Sequence, residues 1–253
     1  MYAAERHEAI LERARAQGRV EVGALADSLG VTVETVRRDL TALERFGVVR
    51  RVHGGAIPVE RLTLEPTVAS RETHRSEQKH RIAARAIEEI PDGGSILLDS
   101  GTTTLAIASM LPLDRSITVV TNAFAIAARL ADVSGIELML LGGRIRTRTG
   151  AAVGQWTEGA LRDMYIDVAF LGTNGFSVER GFTTPDQAES AAKRAMVTAS
   201  RRVIVVADSS KAGQVHLHRF ADADEVAMLV TDGSLDDETT EDLDAAGVEV
   251  VRT

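Results

Sequence analysis

The sequence lacks cysteine, long apolar runs and an apolar amino-terminal segment, and each absence excludes a class of protein. Without cysteine, neither disulfides nor thiolate metal sites hold the 253-residue chain together. No apolar run approaches the length of a membrane span, and the charged start of the chain does not resemble a secretion signal. We therefore predict a soluble, cytoplasmic protein without a membrane partner, long enough to form two domains.

Charge is unevenly distributed along a chain whose formal net charge is −8. Residues 1–59 hold nine arginines and eight acidic residues, a net of +1, whereas the remainder holds 20 basic and 29 acidic residues. Residues 37–51 carry five arginines against two acidic residues. A local basic patch on an acidic body indicates a small DNA-binding head, and it argues against a protein that coats nucleic acid along its whole length.

The segment 32–43 has the pattern of a recognition helix. Val33, Val36, Leu40 and Leu43 recur at the spacing of one helical face, and Thr32 can cap the amino end. The opposite face is polar, and its candidate DNA contacts are Thr32, Glu34, Thr35, Arg37, Arg38 and Thr41. Arginine suits both phosphate and the paired acceptors of guanine. Considered alone, the segment fits an ordinary amphipathic surface helix equally well.

The residues on either side favour the DNA-binding interpretation. Helices predicted over 6–16 and 22–29 are each followed by a glycine, which makes the segment 32–43 the second helix of a helix-turn-helix. The stretch 48–56 predicts a strand, a Gly-Gly turn and a return strand, which together form a β-wing. Arg50, Arg51 and His53 of this wing are candidate phosphate contacts, which supply affinity without sequence choice. We predict a winged helix-turn-helix domain over 1–57.

The remainder predicts a linker and a larger α/β domain. Residues 58–75 contain two prolines and no clean period, as expected of a polar linker, and a helix over 76–90 with Ser76 as its cap opens a second domain over 76–253. Seven apolar runs predict strands at 95–99, 117–121, 136–141, 167–171, 203–207, 226–231 and 248–251. Helices are predicted between them at 103–111, 123–131, 157–164, 187–200 and 236–246. Continuous apolar runs fit strands buried on both faces, so we predict a Rossmann-like, mostly parallel sheet.

Polar motifs follow several of these strands, at the sheet edge where α/β proteins bind ligands. The turn 99–104 opens a helix, so free N–H groups, hydroxyls and the helix dipole favour an anion there, although a well-capped turn accounts for the same residues. The candidate ligand residues are Asp99, Ser100, Gly101, Thr102, Thr103, Thr104, Thr121, Asn122, Gly142, Gly143, Gly172, Asn174, Gly175, Thr183, Glu189, Lys193 and Lys211. Alternatively, Glu189 and Lys193 form a surface ion pair at i,i+4, and Lys211 is a solvated loop residue. No metal or cofactor is predicted, because His216 and His218 lack an organised third ligand.

Two groups of motifs resemble the DeoR family of bacterial transcription regulators. In the head they are 35–40, Thr-Val-Arg-Arg-Asp-Leu, and 52–56, Val-His-Gly-Gly-Ala; in the body they are 99–104, 121–122, 141–143, 167–175, 181–183 and 207–211. The resemblance implies a winged helix-turn-helix head and a sugar-phosphate-sensing domain similar in fold to ribose-5-phosphate isomerase and glucosamine-6-phosphate deaminase. By analogy, Asp39 orients an arginine and does not read a base.

Residues and resemblance together predict a transcription regulator, expected to repress a sugar-metabolism operon. Its expected partners are double-stranded operator DNA, a phosphorylated sugar effector and further copies of itself in a homodimer or homotetramer. The alternative is an isomerase- or deaminase-like enzyme with a DNA-binding head. Against it, the acid cluster of the isomerase relatives corresponds here to Asp167 followed by the apolar residues 168–171, which cannot shuttle a proton. A purely architectural DNA binder, indifferent to ligand, is a third class.

Overall fold

The structure, a computed structural model, describes residues 3–45, 49–52, 54–58, 71, 75–112 and 116–253. It divides into two compact units, Met1–Leu64 and Glu65–Thr253. The boundary between them falls within the segment 58–75, most of which lies outside the described residues. Within the described ranges, no helix is both long enough and apolar enough to cross a membrane.

The described residues of the amino-terminal unit form three helices and a small antiparallel sheet. Its elements are α1 (Ala3–Gln17), β1 (Val20–Glu21), α2 (Val22–Leu29), α3 (Val33–Arg45), β2 (Val49–Val52) and β3 (Gly55–Pro58). Gly30 ends α2 in the left-handed conformation that glycine adopts readily, so the turn into α3 is tight. The backbone N–H of Thr35 donates to the hydroxyl of Thr32 (3.2 Å), so the predicted cap of α3 is confirmed.

The wing is a hairpin of β2 and β3, and β3 also pairs with β1. A Cβ on Gly55 would lie 2.0 Å from the carbonyl oxygen of Val20, so only glycine allows this close approach. Ile10, Leu25, Val36 and Leu40 are buried in one core beneath the helices. Val33 was predicted on the inner face of α3, which is wrong: the residue is 41% exposed, because it lies in the first turn, beyond the edge of that core.

The carboxy-terminal unit is built on a seven-stranded parallel sheet. Its strands, with those of two smaller sheets, are β4 (Ser95–Leu98), β5 (Ile117–Thr121), β6 (Ile136–Leu140), β7 (Arg144–Arg146), β8 (Ala151–Val153), β9 (Ile166–Leu171), β10 (Gly175–Ser177), β11 (Gly181–Thr184), β12 (Ser200–Val206), β13 (His218–Ala221), β14 (Met228–Thr231) and β15 (Glu249–Arg252). The order across the large sheet is β15-β14-β12-β9-β4-β5-β6, and every pairing in it is parallel. All seven predicted strands lie in this sheet, so the predicted fold class is confirmed.

Helices cover both faces of the large sheet. They are α4 (Ser76–Ala86), α5 (Thr102–Ser109), α6 (Phe124–Leu130), α7 (Gln155–Arg162), α8 (Gln187–Ala199) and α9 (Asp237–Ala245). One core contains Ile82, Ile107 and Ile126 of α4, α5 and α6. The other contains residues of α7, α8 and α9, such as Met196 and Leu243. Alternate residues of the strands point to opposite faces, so each strand contributes to both cores.

Two features of this unit differ from the sequence prediction. Ser76 does not cap α4: the residue before the helix is Arg75, in the left-handed conformation (φ 54°), and it provides no side-chain cap bond. The short antiparallel elements were not predicted either. They are the β7–β8 hairpin and the three-stranded sheet β10-β11-β13, whose strands of three or four residues are too short for a period to be visible.

Candidate functional site

The polar face of α3 remains open in the amino-terminal unit. Arg37 and Arg38 are exposed. Arg37 lies 3.8 Å from Glu34 in a solvated ion pair, and the side chain of Arg38 has no hydrogen bond or ion pair within the described residues. The hydroxyls of Thr32 and Thr35 lie 2.9 Å apart, which ties the first turn together. This face therefore presents two arginines with few internal partners.

The wing is attached to α3 by side-chain contacts. The guanidinium of Arg51 donates to the hydroxyl of Thr41 (3.3 Å), and the backbone N–H of Arg51 donates to Glu44 Oε1 (3.0 Å). Thr41 in turn donates to the carbonyl of Arg37 (2.8 Å). The side chain of Arg50 and all of His53, both predicted to touch phosphate, lie outside the described residues.

A buried acid supports α3 from behind. Asp39, 5% exposed, accepts hydrogen bonds from Arg6 Nε (2.8 Å) and Nη2 (3.0 Å), and its Oδ1 lies 3.1 Å from His7 Nε2. Burial would raise the pKa of Asp39, but the hydrogen bonds and charges of Arg6 and His7 outweigh burial and lower it. As predicted, Asp39 holds an arginine, and it does so inside the protein, where it fixes α1 against the recognition helix.

In the carboxy-terminal unit, the chain reverses its direction of travel across the sheet between β4 and β9. The strands β5 and β6 follow β4 on one side, whereas β9, β12, β14 and β15 extend the sheet on the other. A crevice forms beyond the carboxyl ends of the strands at such a point, and open α/β sheets bind their ligands there. Asp99 and Gly172 are the first residues after these two strands, and Gly172 N donates to Asp99 Oδ2 (3.2 Å).

The turn 99–104 at this point has unused donors. Within the described residues, the N–H groups of Gly101, Thr102 and Thr103 have no acceptor, and the hydroxyls of Thr102 and Thr103 have no partner. Ser100 differs, because its N–H donates to Asn122 Oδ1 (3.1 Å) and its hydroxyl donates to the carbonyl of Thr149 (2.8 Å). The open donors at the start of α5 are therefore those of 101–103, which suits an anion.

Below this turn lies a buried ion pair. Lys193, 5% exposed, donates to Asp99, 1% exposed, and to the carbonyl of Gly172 (2.9 Å). The ammonium also lies 5.3 Å from the centre of the Phe220 ring. Burial raises the pKa of Asp99, while the neighbouring ammonium acts in the opposite direction. The alternative of a surface pair between Glu189 and Lys193 is wrong, because both residues are buried and each bonds elsewhere.

The β7–β8 hairpin is held against α8 by charge. Glu189 accepts from Arg146 Nη1 (3.2 Å) and from the hydroxyl of Thr149, and Arg146 Nε lies 3.0 Å from Asp186, the cap of α8. Thr149 also accepts the hydroxyl of Ser100, so the hairpin lies beside the phosphate-binding candidate. Sequence reasoning missed Arg146 and Thr149, because their partner Glu189 lies about 40 residues away in α8.

The other candidates occupy the same edge of the sheet with internal partners. Asn174 accepts from Thr184 (3.0 Å), Thr183 accepts from the His216 N–H (3.0 Å), and Thr121 donates to the carbonyl of Leu98 (2.7 Å). Gly143 and Gly175 allow close contacts: a Cβ would lie 2.4 Å from the Thr157 hydroxyl and 2.2 Å from the Gln214 carbonyl, respectively. Gly142 accepts from Thr157 (2.8 Å), and the Thr104 hydroxyl donates to Gly101 (3.0 Å). These residues shape the edge more than they present free groups to it.

Lys211 ends a 3₁₀ turn, Ser209–Lys211. Two residues, Ala207 and Asp208, separate this turn from the end of β12. Its ammonium has no hydrogen bond or ion pair within the part of the chain that the structure describes. The strand β12 is two places from β4 in the sheet, so Lys211 shares an edge with the turn 99–104.

Asp167, at the start of β9, lies at the amino ends of the strands, opposite the end that carries the turn 99–104. Asp167 accepts from the N–H (2.8 Å) and hydroxyl (2.9 Å) of Ser95, and these bonds lower its pKa. Residues 168–171 are buried and apolar. Two of the carboxylates near the carboxyl ends of the strands, Asp99 and Glu189, are engaged by the internal cations Lys193 and Arg146.

Comparison with known proteins identifies the family. The DeoR C-terminal sensor domain profile matches residues 74–233, and the DeoR-like helix-turn-helix profile matches residues 6–61. The HTH-type transcriptional regulator GlpR of Haloferax volcanii is 40% identical over 251 residues, covering 99% of this chain and 98% of that protein. The chain belongs to the DeoR family of transcription regulators.

Other DeoR relatives match over most of their length. The HTH-type transcriptional repressor GlcR of Bacillus subtilis is 33% identical, covering 100% of this chain and 97% of that protein. The glycerol-3-phosphate regulon repressor of Escherichia coli is 31% identical, covering 90% of each. Family membership confirms the prediction of a DNA-binding transcription regulator over that of an enzyme.

Among solved structures, ribose 5-phosphate isomerase A from Methanocaldococcus jannaschii matches with 16% identity and a TM-score of 0.40, covering 54% of each chain. A likeness at this level carries no conclusion about the activity of this DeoR protein.

Proposed function

We propose that this protein represses a sugar-metabolism operon and that a phosphorylated sugar changes its affinity for the operator. The observation that carries the proposal is the turn 101–103, whose N–H groups point from the start of α5 without internal acceptors, at the reversal point of the sheet. A phosphate dianion satisfies these donors, and Lys211 on the same edge supplies a cation. The family's sensor domain and the repressors among the relatives support this choice.

The sugar part of the effector lies, in this proposal, towards β9 and the β7–β8 hairpin. Asn122, Asn174 and Thr183 line the edge on that side, with the Asp99–Lys193 pair beneath them. Because Asp99 is 1% exposed and already paired, a direct bond from the effector to Asp99 requires Lys193 to move. Asn174 is partly exposed, and its amide NH2 group has no hydrogen bond within the described residues, so it suits a sugar hydroxyl, whereas the buried Asn122 and Thr183 shape the edge around it.

A thermal-shift screen tests the effector class. The panel contains sn-glycerol 3-phosphate, fructose 1-phosphate, fructose 6-phosphate, ribose 5-phosphate and glucosamine 6-phosphate, with the unphosphorylated compounds and inorganic phosphate as controls. A bound effector at about a hundred times its Kd adds about 2.7 kcal/mol of stability. The proposal is contradicted if only the unphosphorylated sugars stabilise the protein, or if none of the compounds does.

We propose that the recognition helix selects the sequence and that the wing contributes affinity. On an operator duplex selected from a random-sequence library, Arg37→Ala or Arg38→Ala is expected to cost about 1–3 kcal/mol and to relax the preference. Arg50→Ala or Arg51→Ala is expected to weaken selected and random DNA alike and to reduce the slope of log affinity against log salt by about one. Fluorescence anisotropy at several salt concentrations measures both. Wing variants that change the preference while helix variants do not would reverse the two roles.

We also propose that the protein works in the cytoplasm, with a DNA-binding domain over 1–57, a linker over 58–75 and a sensor domain over 76–253. We propose that its DNA-bound form is a homodimer or homotetramer. Helix-turn-helix proteins commonly bind paired half-sites through a two-fold axis. Sedimentation of the protein with and without operator measures the stoichiometry, and a single monomer on each operator would contradict it.

A further inference from the structure

Arg75 has an unusual backbone conformation at the start of the carboxy-terminal unit. Among the described residues it is the only one other than glycine with a positive φ (54°, with ψ 40°). Residues with a Cβ rarely take this conformation, because the Cβ approaches the carbonyl oxygen, so surrounding contacts must maintain it. The residue lies directly before α4, at the end of the predicted linker from the DNA-binding head.

The contacts of Arg75 lead to the loop that carries Lys211. Its Nη1 lies 3.5 Å from the hydroxyl of Ser209 and 3.7 Å from Oδ1 of Asp208. Asp208 is buried, and it accepts the N–H of Ser210 (3.2 Å). Lys211, the proposed cation for the effector phosphate, is two residues beyond Ser209 in the same 3₁₀ turn.

Two buried carboxylates hold the loop 208–211: Asp208, which belongs to the loop, and Asp232, which follows β14. Asp232, 1% exposed, accepts the N–H (2.8 Å) and the hydroxyl (3.0 Å) of Ser209, so two buried carboxylates flank one serine. Among the described residues, Arg75 is the cation within ion-pair distance of Asp208. A second hydrogen bond joins α4 to the residues before it: buried Lys79 of α4 donates to the backbone carbonyl of Arg71.

The electrostatics of this contact depend on what Lys211 binds. A phosphate dianion on Lys211 offsets the positive charge of its ammonium and adds negative charge beside Asp208 and Asp232. The attraction of this loop for the Arg75 guanidinium then increases, and so does the free energy that holds the backbone of Arg75 in its strained conformation. Arg75 is the residue directly before α4, so its backbone lies where the predicted linker meets the carboxy-terminal unit.

We propose that Arg75 transmits occupancy of the effector site to the linker, through its contact with Asp208 and Ser209. The inference rests on the proposed function, because it takes Lys211 as a phosphate contact. Coupling between two sites requires an element whose state both ligands bias, and the Arg75 contact joins the effector loop to the chain that leads to the DNA-binding head. Arg75 is a positioning residue, since it touches neither ligand.

The test separates coupling from binding. Arg75→Asn removes the guanidinium but keeps a residue that tolerates the left-handed conformation, and Arg75→Gly removes both the guanidinium and the strain. Arg85→Gln is the matched control, because Arg85 lies on α4 and pairs with Glu89 (2.6 Å), away from the loop. Operator affinity is measured by anisotropy with and without the panel compound that most weakens the wild-type complex, and binding of that compound is measured by thermal shift without DNA.

For wild type and Arg85→Gln we expect the compound to weaken operator binding by a factor within the usual allosteric range, about 5–150-fold. For Arg75→Asn and Arg75→Gly we expect this factor to fall to within about twofold of one, although the compound still raises the melting temperature as in wild type. Asp208→Asn is expected to reduce the factor in the same way, and combining it with Arg75→Asn is expected to add nothing further.

The inference is overturned, and the proposed function is left intact, if the compound weakens operator binding by both folded Arg75 variants as much as it does for wild type. The inference is also overturned if the compound no longer weakens operator binding by the Arg75 variants but still weakens binding by Asp208→Asn as in wild type. The contact between Arg75 and Asp208 would then not carry the coupling. A wild-type protein that no panel compound binds or releases overturns the proposed function, and this inference with it.

Discussion

Replacing Lys193 by methionine is expected to lower the free energy of unfolding of the carboxy-terminal unit by about 3–5 kcal/mol. Within the described residues, the substitution leaves the buried Asp99 with the Gly172 N–H as the one donor to its side chain. The contact of the ammonium with Phe220 is lost as well. Urea unfolding followed by far-ultraviolet circular dichroism measures the change, with the two units fitted as separate transitions.

The double variant Lys193→Met with Asp99→Asn is the control for this prediction. It removes both charges, so no isolated carboxylate remains in the core, and it is expected to recover about half of the lost stability. Operator affinity is expected to be unchanged in the single variant, because the recognition helix belongs to the other unit. A single variant within about 1 kcal/mol of wild type would show that Lys193 and Asp99 do not form a desolvated pair.

Thr103→Asp is expected to give a protein that binds its operator normally but no longer responds to the effector. Thr103, 8% exposed, is in the first turn of α5, where the helix dipole and the free N–H groups stabilise a carboxylate and offset the cost of its burial. The same carboxylate occupies the place proposed for the phosphate and repels a dianion. We expect effector affinity to fall on the order of 100-fold or more.

A gel-shift titration with and without effector measures this loss, and circular dichroism confirms that the variant is folded. Thr103→Val is the matched control, because it removes the hydroxyl without adding charge, and we expect it to lose less effector affinity than Thr103→Asp. In cells, the aspartate variant is expected to repress permanently. Ordinary release of Thr103→Asp by the effector would place the phosphate elsewhere.

The sheet was predictable from sequence because its strands are mostly apolar runs, although β6 and β15 at its two sides include Glu137, Glu249 and Arg252. Ile117, Val119 and Val120 of β5 and Val203 to Val206 of β12 are buried within the sheet, and this burial is what their composition encodes. The β7–β8 hairpin was not predictable, because it has three residues in each strand and mixes arginine with alanine. Its position is determined by Arg146, which binds Asp186 and Glu189 on a distant helix.

The candidate site shows the same limit. The turn 99–104 was found because a glycine and hydroxyl residues between a strand and a helix form a local pattern. Lys193 was misassigned because its nearest acid in sequence is Glu189, whereas its partner Asp99 is 94 residues away. Local spacing describes interactions along one helix, but a buried pair is selected by the topology of the sheet. Arg75 left no local signal either, since its conformation depends on the loop after β12.

The position of β4 in the centre of the sheet has a consequence for synthesis of the chain. Its partner on one side is β5, but on the other it is β9, and the bonded residues Ser95 and Asp167 are 72 positions apart. During translation β4 therefore keeps an unpaired edge until β9 has left the ribosome, whereas every contact in the core of the DNA-binding unit is already available. Chains interrupted between these points are expected to hold a DNA-binding head without a completed sensor. Such fragments would compete with the full chain for operators and would not be released by the effector. We therefore expect them to be degraded quickly in the cell.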